Sequence, residues 1–190
     1  MAKQDYRLSD VEIELFYRLY FGMPTFANRK HGAAPSIDIL NSPNGVNPAD
    51  VQKIRDALWA DPVTVDEYLA QKDLVMPTNE RVIIEGWRKG FMHDKFMVIK
   101  QLANYAVFMY SNGKKKGLYG VTGLTTPIDE IFPKQVLPIM TKTTLLPFLG
   151  RIISDGVYIS YNVTFGPGIR GNFLDEYREI KERYGITTSL

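Results

Sequence analysis

Cysteine is missing altogether, histidine occurs only twice, and no apolar run approaches the roughly 20 residues of a membrane span. Without cysteine there can be no disulfide, no thiolate nucleophile and no zinc site that relies on sulfur. The two histidines, His31 and His93, stand alone, so no metal site and no cofactor is expected. An excess of one charge is lacking too. The 23 basic and 21 acidic residues leave a net charge of +2, so any basic footprint must be local. The start, Met1 to Asp5, has no apolar core of the signal-peptide kind, and a cytoplasmic protein without membrane association is the expectation.

What is present reads as an ordinary globular chain. It has 190 residues, of which 45% are hydrophobic and 23% charged, enough to bury one sizeable core. Ser9 and Glu12 make a capping box ahead of Val11, Leu15 and Leu19, which predicts a helix from about Asp10 to Phe21. A second helical stretch follows Pro24 and stops at Gly32. From Ala33 to Pro48 the density of Pro, Asn, Ser and Gly marks a loop, either a flexible excursion or a lid. Asn47-Pro48 then reads as cap and first position of a helix through Leu58. A short helix through Tyr68 and another from Thr78 to Gly90 complete a mainly helical first half.

At Phe96 the periodicity changes to that of strands. Phe96–Ile99 and Val107–Tyr110 flank a polar break, Asn112-Gly113 is a hairpin signal, and Leu118–Leu124 reads as a third strand. Val136–Leu146 is expected as a strand interrupted by Pro138. The apolar run Leu145–Ile153, the turn Asp155-Gly156 and the aromatic run Val157–Phe165 predict a further strand pair, and Gly166-Pro167-Gly168 opens a helix to Tyr184. The fold class expected is α+β: a helical N-terminal half packed on a small, strongly twisted antiparallel sheet or open barrel, with a C-terminal helix. The chain is read as one composite domain, with a mainly helical part (1–90), a sheet-rich part (91–190) and a joint at Phe91–Lys95.

Few residues offer chemistry. The loop Gly166 to Asn172 opens a helix whose first amides lack internal partners, and Arg170 adds a guanidinium fork. Gly166, Gly168, Arg170 and Asn172, with Asp155 and Tyr158 nearby in sequence, form a candidate site for a small anionic ligand or a protein partner. The plainer alternative is that the glycines only turn a strand into a helix. Asp155 and Asp94, the latter beside His93, are conceivable general bases, but no second group is tied to either by spacing. An enzyme acting on a phosphorylated or carboxylated small molecule would need Arg170 for the anion and Asp155 as base. Lys114, Lys115 and Lys116, flanked by Tyr110 and Tyr119, suggest single-stranded nucleic acid, against the alternative of a solubilising hairpin tip. The mixed charges of the last helix mark a solvated face, and Thr188-Ser189-Leu190 could pair with a sheet edge.

Leu145-Leu146-Pro147-Phe148 with Gly150, Asp155-Gly156, Tyr161-Asn162, Phe165-Gly166 with Gly168-Ile169-Arg170, Tyr177-Arg178 and Gly185-Ile186 resemble the C-terminal part of an uncharacterised bacterial protein family. The resemblance spans about the last half of the chain and implies no activity, substrate or catalytic residue. Longer proteins with a similar segment carry cysteine-rich metal-binding extensions, which this chain lacks. The reading that follows is a binding or interaction module, with nucleic-acid association and small-molecule catalysis as alternatives.

Overall fold

Helices precede strands along the chain, as the change of periodicity at Phe96 implies. The structure, a computed structural model, describes residues 7–42, 45–113, 115–161 and 163–190. It is α+β, and the chain forms two compact units, Val11–Lys89 and a second made of Gly90–Leu190 with residues 7–10. No helix among the described residues is long and apolar enough to cross a membrane.

The first unit is built from α1 (Asp10–Tyr20), α2 (Gly22–His31), α3 (Pro48–Ala60), α4 (Val63–Leu69) and α5 (Thr78–Gly90). Phe16 stacks on Tyr20 at 5.0 Å and tilts against Trp87 of α5 at 5.3 Å. Both Phe16 and Trp87 are fully buried. The Asn47 side chain accepts from the Ala49 amide at 2.9 Å, with Pro48 at the first helical position, so α3 starts where its cap dictates. At the end of α2, Gly32 takes a left-handed φ of 62° and its amide donates to the Asn28 carbonyl. The loop after it is tied down rather than free along Ala34–Leu40. Buried Asn28 donates to the carbonyls of Ala34 and Ile37 and accepts from the Ala34 amide, while Thr25 brackets the backbone of Leu40.

The second unit contains β1 (Met92–Gln101), β2 (Ala106–Asn112), β3 (Lys115–Thr122), α6 (Ile128–Ile131), a 3-10 turn (Lys134–Val136), β4 (Ile139–Phe148), β5 (Arg151–Ser154), β6 (Ile159–Ser160) and α7 (Pro167–Tyr184). β1, β2 and β3 are joined as successive antiparallel neighbours, and β4 returns to lie beside β1, which is a Greek key. β5 folds back along β4 and meets β3 in parallel through Val121↔Ile152 and Thr122↔Ile153. The pairings β1–β2–β3–β5–β4–β1 therefore run in a ring within a six-stranded sheet. β1 serves two neighbours because it is long and bends: its register shifts between Val98 and Lys100, a bulge that sharpens local twist.

Alternation sorts the strand residues onto two faces. Phe96, Val98, Ala106, Phe108, Val121, Leu145 and Ile152 form one cluster, closed at one end by Ile128 and Phe132 from and after α6. Met97, Ile99, Val107, Met109 and Leu118 point the other way and are covered by Tyr177 and Ile180 of α7. Phe173 is partly buried against the same cluster, whereas Tyr184 at the end of α7 is exposed.

Four local expectations change. Residues 92–95 of the expected joint already belong to β1, and the strand expected from Val136 begins only at Ile139, after a 3-10 turn. The apolar run Leu145–Ile153 is a hairpin, not one strand: Leu149 and Gly150, with φ of 49° and 76°, turn β4 into β5. Positive φ at both central residues suits the twist of a tight hairpin, but a leucine there carries no turn signal. Asp155-Gly156 consequently joins no strand pair. Asp155 accepts from the Val157 amide at 3.2 Å, an Asx turn that redirects the chain, and among the described residues of the expected second strand Ile159 and Ser160 form the strand that pairs with β4, followed by the Tyr161 amide on the Met140 carbonyl.

Candidate functional site

The residues singled out in the sequence fall in separate places. Asp155 is buried at the end of β5, where Oδ1 accepts from the Thr143 hydroxyl at 3.3 Å as well as from Val157. Tyr158 is half-buried, packs edge-on against Phe132 at 5.1 Å and bonds through its hydroxyl to Ser154. Gly166 caps α7, but Pro167 at its first position removes one of the free amides. Gly168 and Asn172 are exposed. The Arg170 Nε donates to the Phe165 carbonyl at 2.9 Å, and the side chain borders a cavity of about 420 Å³ with Gln135, Tyr161 and Thr164. Asp155 is not among that cavity's lining residues, so the pairing of Asp155 with Arg170 needed for catalysis is not assembled there.

Lys114 lies outside the described residues. Lys115 is exposed, while Lys116 is held by Glu176 of α7 at 2.9 Å, and this hydrogen-bonded carboxylate raises its pKa above the ordinary lysine value. Tyr110 and Tyr119 turn toward the cluster that contains Phe96 and Phe108. The Tyr110 hydroxyl donates to Asp94 at 3.1 Å, and burial raises the pKa of Tyr119. His93 meets the Thr144 hydroxyl through Nδ1 at 2.9 Å. No group of three or more metal-ligating side chains occurs among the described residues.

Another arrangement does converge. Where β3 passes from β5 toward the hairpin tip, the ring has a seam, and there a crevice of about 380 Å³ opens between the β1–β2 loop and the β4–β5 turn. Asn104 and Tyr105 line it from the loop, Gly120 and Thr122 from β3, Gly150 and Arg151 from the turn. The C-terminal tail adds Thr188. Tyr105 lies flat along β3 because Gly120 has no side chain: a Cβ there would stand 2.8 Å from its Cδ2 and 2.9 Å from its Cε2. Arg151 is the one charged residue lining the crevice among the described residues.

Sequence reading missed this crevice. The usable signal was Gly120, since a glycine inside a strand marks close approach of another group, but what approaches is set by a loop far away in sequence. The tail was partly legible: Thr187 bridges Tyr119 in parallel, with its amide on the Leu118 carbonyl at 2.8 Å and its carbonyl on the Gly120 amide at 2.8 Å. Comparison with protein-family models, curated proteins and solved structures finds no match to this chain, so the family resemblance carries no further argument.

Proposed function

We propose that the strand unit is a binding module that holds a nucleotide unit, base and phosphate, in the seam crevice. The observation carrying this reading is the meeting of Tyr105 and Arg151 at the one place where the β1–β2 loop, the β4–β5 turn and the open side of β3 come together. Five-stranded, partly open Greek-key barrels of the oligonucleotide- and oligosaccharide-binding type use strands two and three and these two loops for their ligands. That parallel is an analogy of fold, so the weight rests on the side chains. A tyrosine ring offers a stacking surface for a base. Arg151 supplies a cation for phosphate, while the Asn104 amide and Thr122 hydroxyl can bond base or sugar edges.

This reading keeps the binding-module class and moves the ligand away from α7. The anion site at Gly166 to Asn172 remains the second reading, because Arg170 borders the cavity beside Tyr161 while its Nε donates to the Phe165 carbonyl. Amide NMR titration with thymidine monophosphate, maltotriose and inorganic phosphate separates the readings. Shifts centred on Gly120, Thr122 and Gly150 with the nucleotide are expected. Tyr105→Ala should weaken binding by about tenfold, in line with a stacking contribution of about 1–3 kcal/mol. Maltotriose acting alone would make this a sugar site, and phosphate shifts at Gly168 to Asn172 would restore the α7 reading.

A further inference from the structure

We infer that the helical unit carries a separate binding site, a pocket between α2 and α4 that takes a small alkylammonium ion. Gly22, Phe26 and Arg29 stand at i, i+4 and i+7 and so share one face of α2. Tyr68 of α4, with Asp73 and Leu74 of the segment after it, completes a cavity of about 270 Å³. The pocket lies wholly within Val11–Lys89 and shares no lining residue with the seam crevice. Tyr68 is what marks it as a site. Its side chain is 8% exposed, and its hydroxyl lies over Gly22 so closely that a Cβ there would stand 2.1 Å from the oxygen. A glycine, the poorest helix former after proline, opens α2 because the phenol takes the place of its side chain. No described residue hydrogen-bonds that hydroxyl, although a buried polar group calls for a partner. Burial raises the Tyr68 pKa and keeps it the neutral phenol, able to accept through its oxygen as well as to donate.

Charge selects among the ligands that could fill this space. Arg29 turns Nε and Nη2 to Asp38 Oδ1 at 3.3 and 3.1 Å, which offsets its charge, whereas Asp73 has no ion-pair or hydrogen-bond partner among the described residues. The uncompensated charge on the pocket wall is therefore negative. Phe26 and Tyr68 act in the same direction, since their ring centroids lie 6.0 Å apart and an aromatic ring attracts an ammonium within about 6 Å. An alkylammonium ion answers each group: an N–H donates to the Tyr68 oxygen, the charge opposes Asp73, and the chain lies on Phe26 and Leu74. The cavity is small for a ligand pocket, which commonly holds about 300 to 1,000 Å³, so the chain is short.

The test is an amide NMR titration of the full chain with butylammonium, 1-butanol and butyrate, which share a chain and differ in charge. Butylammonium should give saturating shifts at Gly22, Phe26 and Leu74, in the millimolar range that suits so small a ligand, and should bind about tenfold more tightly than 1-butanol. Equal affinity for the alcohol, a preference for butyrate, or shifts that never saturate would each overturn the inference. Asp73→Asn changes an exposed rim residue and does not put the fold at stake. It should weaken butylammonium about threefold and leave 1-butanol unchanged. Tyr68→Phe should weaken both, because both lose the same hydrogen bond. An Asp73→Asn protein that binds butylammonium as the parent does overturns the assignment of a cation.

Discussion

The two units hold their backbones in place by different means. In Val11–Lys89 the decisive polar contacts are short in sequence: Asn47 to Ala49, Gly32 to Asn28, Asn28 to Ala34 and Ile37. In the strand unit they join distant segments, as in Leu8 to Gly123, Val98 to Ile139, Val121 to Ile152 and Thr187 to Leu118. Local contacts can be written into a few neighbouring residues, whereas closure of a ring depends on where three or four strands arrive together. One unit is therefore sensitive to caps and tie-downs, the other to the packing that its ring encloses.

The largest effect should come from that enclosed packing. Phe108 is fully buried and meets Phe96 at 6.1 Å and Phe132 at 5.9 Å. Phe108→Ala should cost about 3–5 kcal/mol, because the cavity cannot collapse between paired strands. Denaturant melts followed by exchange of strand-unit amides would show it, and an equal loss of protection in α1–α5 would erase the contrast between the units. Next comes Asn28→Ala, which strands the polar groups that Asn28 satisfies near the Ala34 turn, at about 1–3 kcal/mol. Limited proteolysis should then cut within 33–42 first; resistance there would mean that Asn28 does not hold the loop.

A smaller change, about 1 kcal/mol, is expected for Asn47→Ala, which removes only a helix cap. Fraying at the start of α3, seen as faster exchange of the Ala49 and Asp50 amides, is its signature. Smallest is the pH response of the exposed cluster in which Lys30 meets Asp61 at 3.0 Å and Glu67 at 2.6 Å. Hydrogen bonding to Glu67, then to Asp61, raises the Lys30 pKa above 10.5, so its contribution is full below that value and is lost as pH rises through the folded value. Asp61 is lowered from 3.8, chiefly by its bond to Lys30, so its contribution is present above 3.8 and fades as pH falls through the folded value. Lys30→Met should lower thermal stability slightly across the neutral range, where both contributions are present, and leave the extremes of pH nearly unchanged; a loss confined to the extremes would assign Lys30 a different role.

The same contrast explains what could be read beforehand. Asn47-Pro48, Gly32 and Asn112-Gly113 each act within a few residues, and each marks the boundary it appears to mark. The solvated face of α7 was legible in its mixed charges, of which Asp175, Arg178, Glu179, Glu182 and Arg183 are exposed. Leu149-Gly150 was not, since a left-handed leucine is imposed by β4 and β5 pairing rather than preferred by the residue. Asp155-Gly156 misled for the complementary reason: the pair does turn the chain, but no strand follows to answer β5. The crevice was least legible, because Tyr105, Gly120 and Arg151 share a place only once the ring has closed.

Leu8 gives this topology a consequence in time. Its amide donates to the carbonyl of Gly123, and Arg7 bridges the same residue, so the segment before α1 belongs with strands that leave the ribosome long after it. During synthesis the helices from α1 to α5 have their local contacts available as they emerge. Residues 7–8 must wait, unpaired, until Gly123 has been made, and β3 in turn waits for β5 and the tail. Contacts of such long separation slow folding, because the chain between them must be ordered before they reward it. The strand unit thus matures after the helices in the order of translation, since the backbone of Leu118 and Gly120 is paired only once Thr187 has been made.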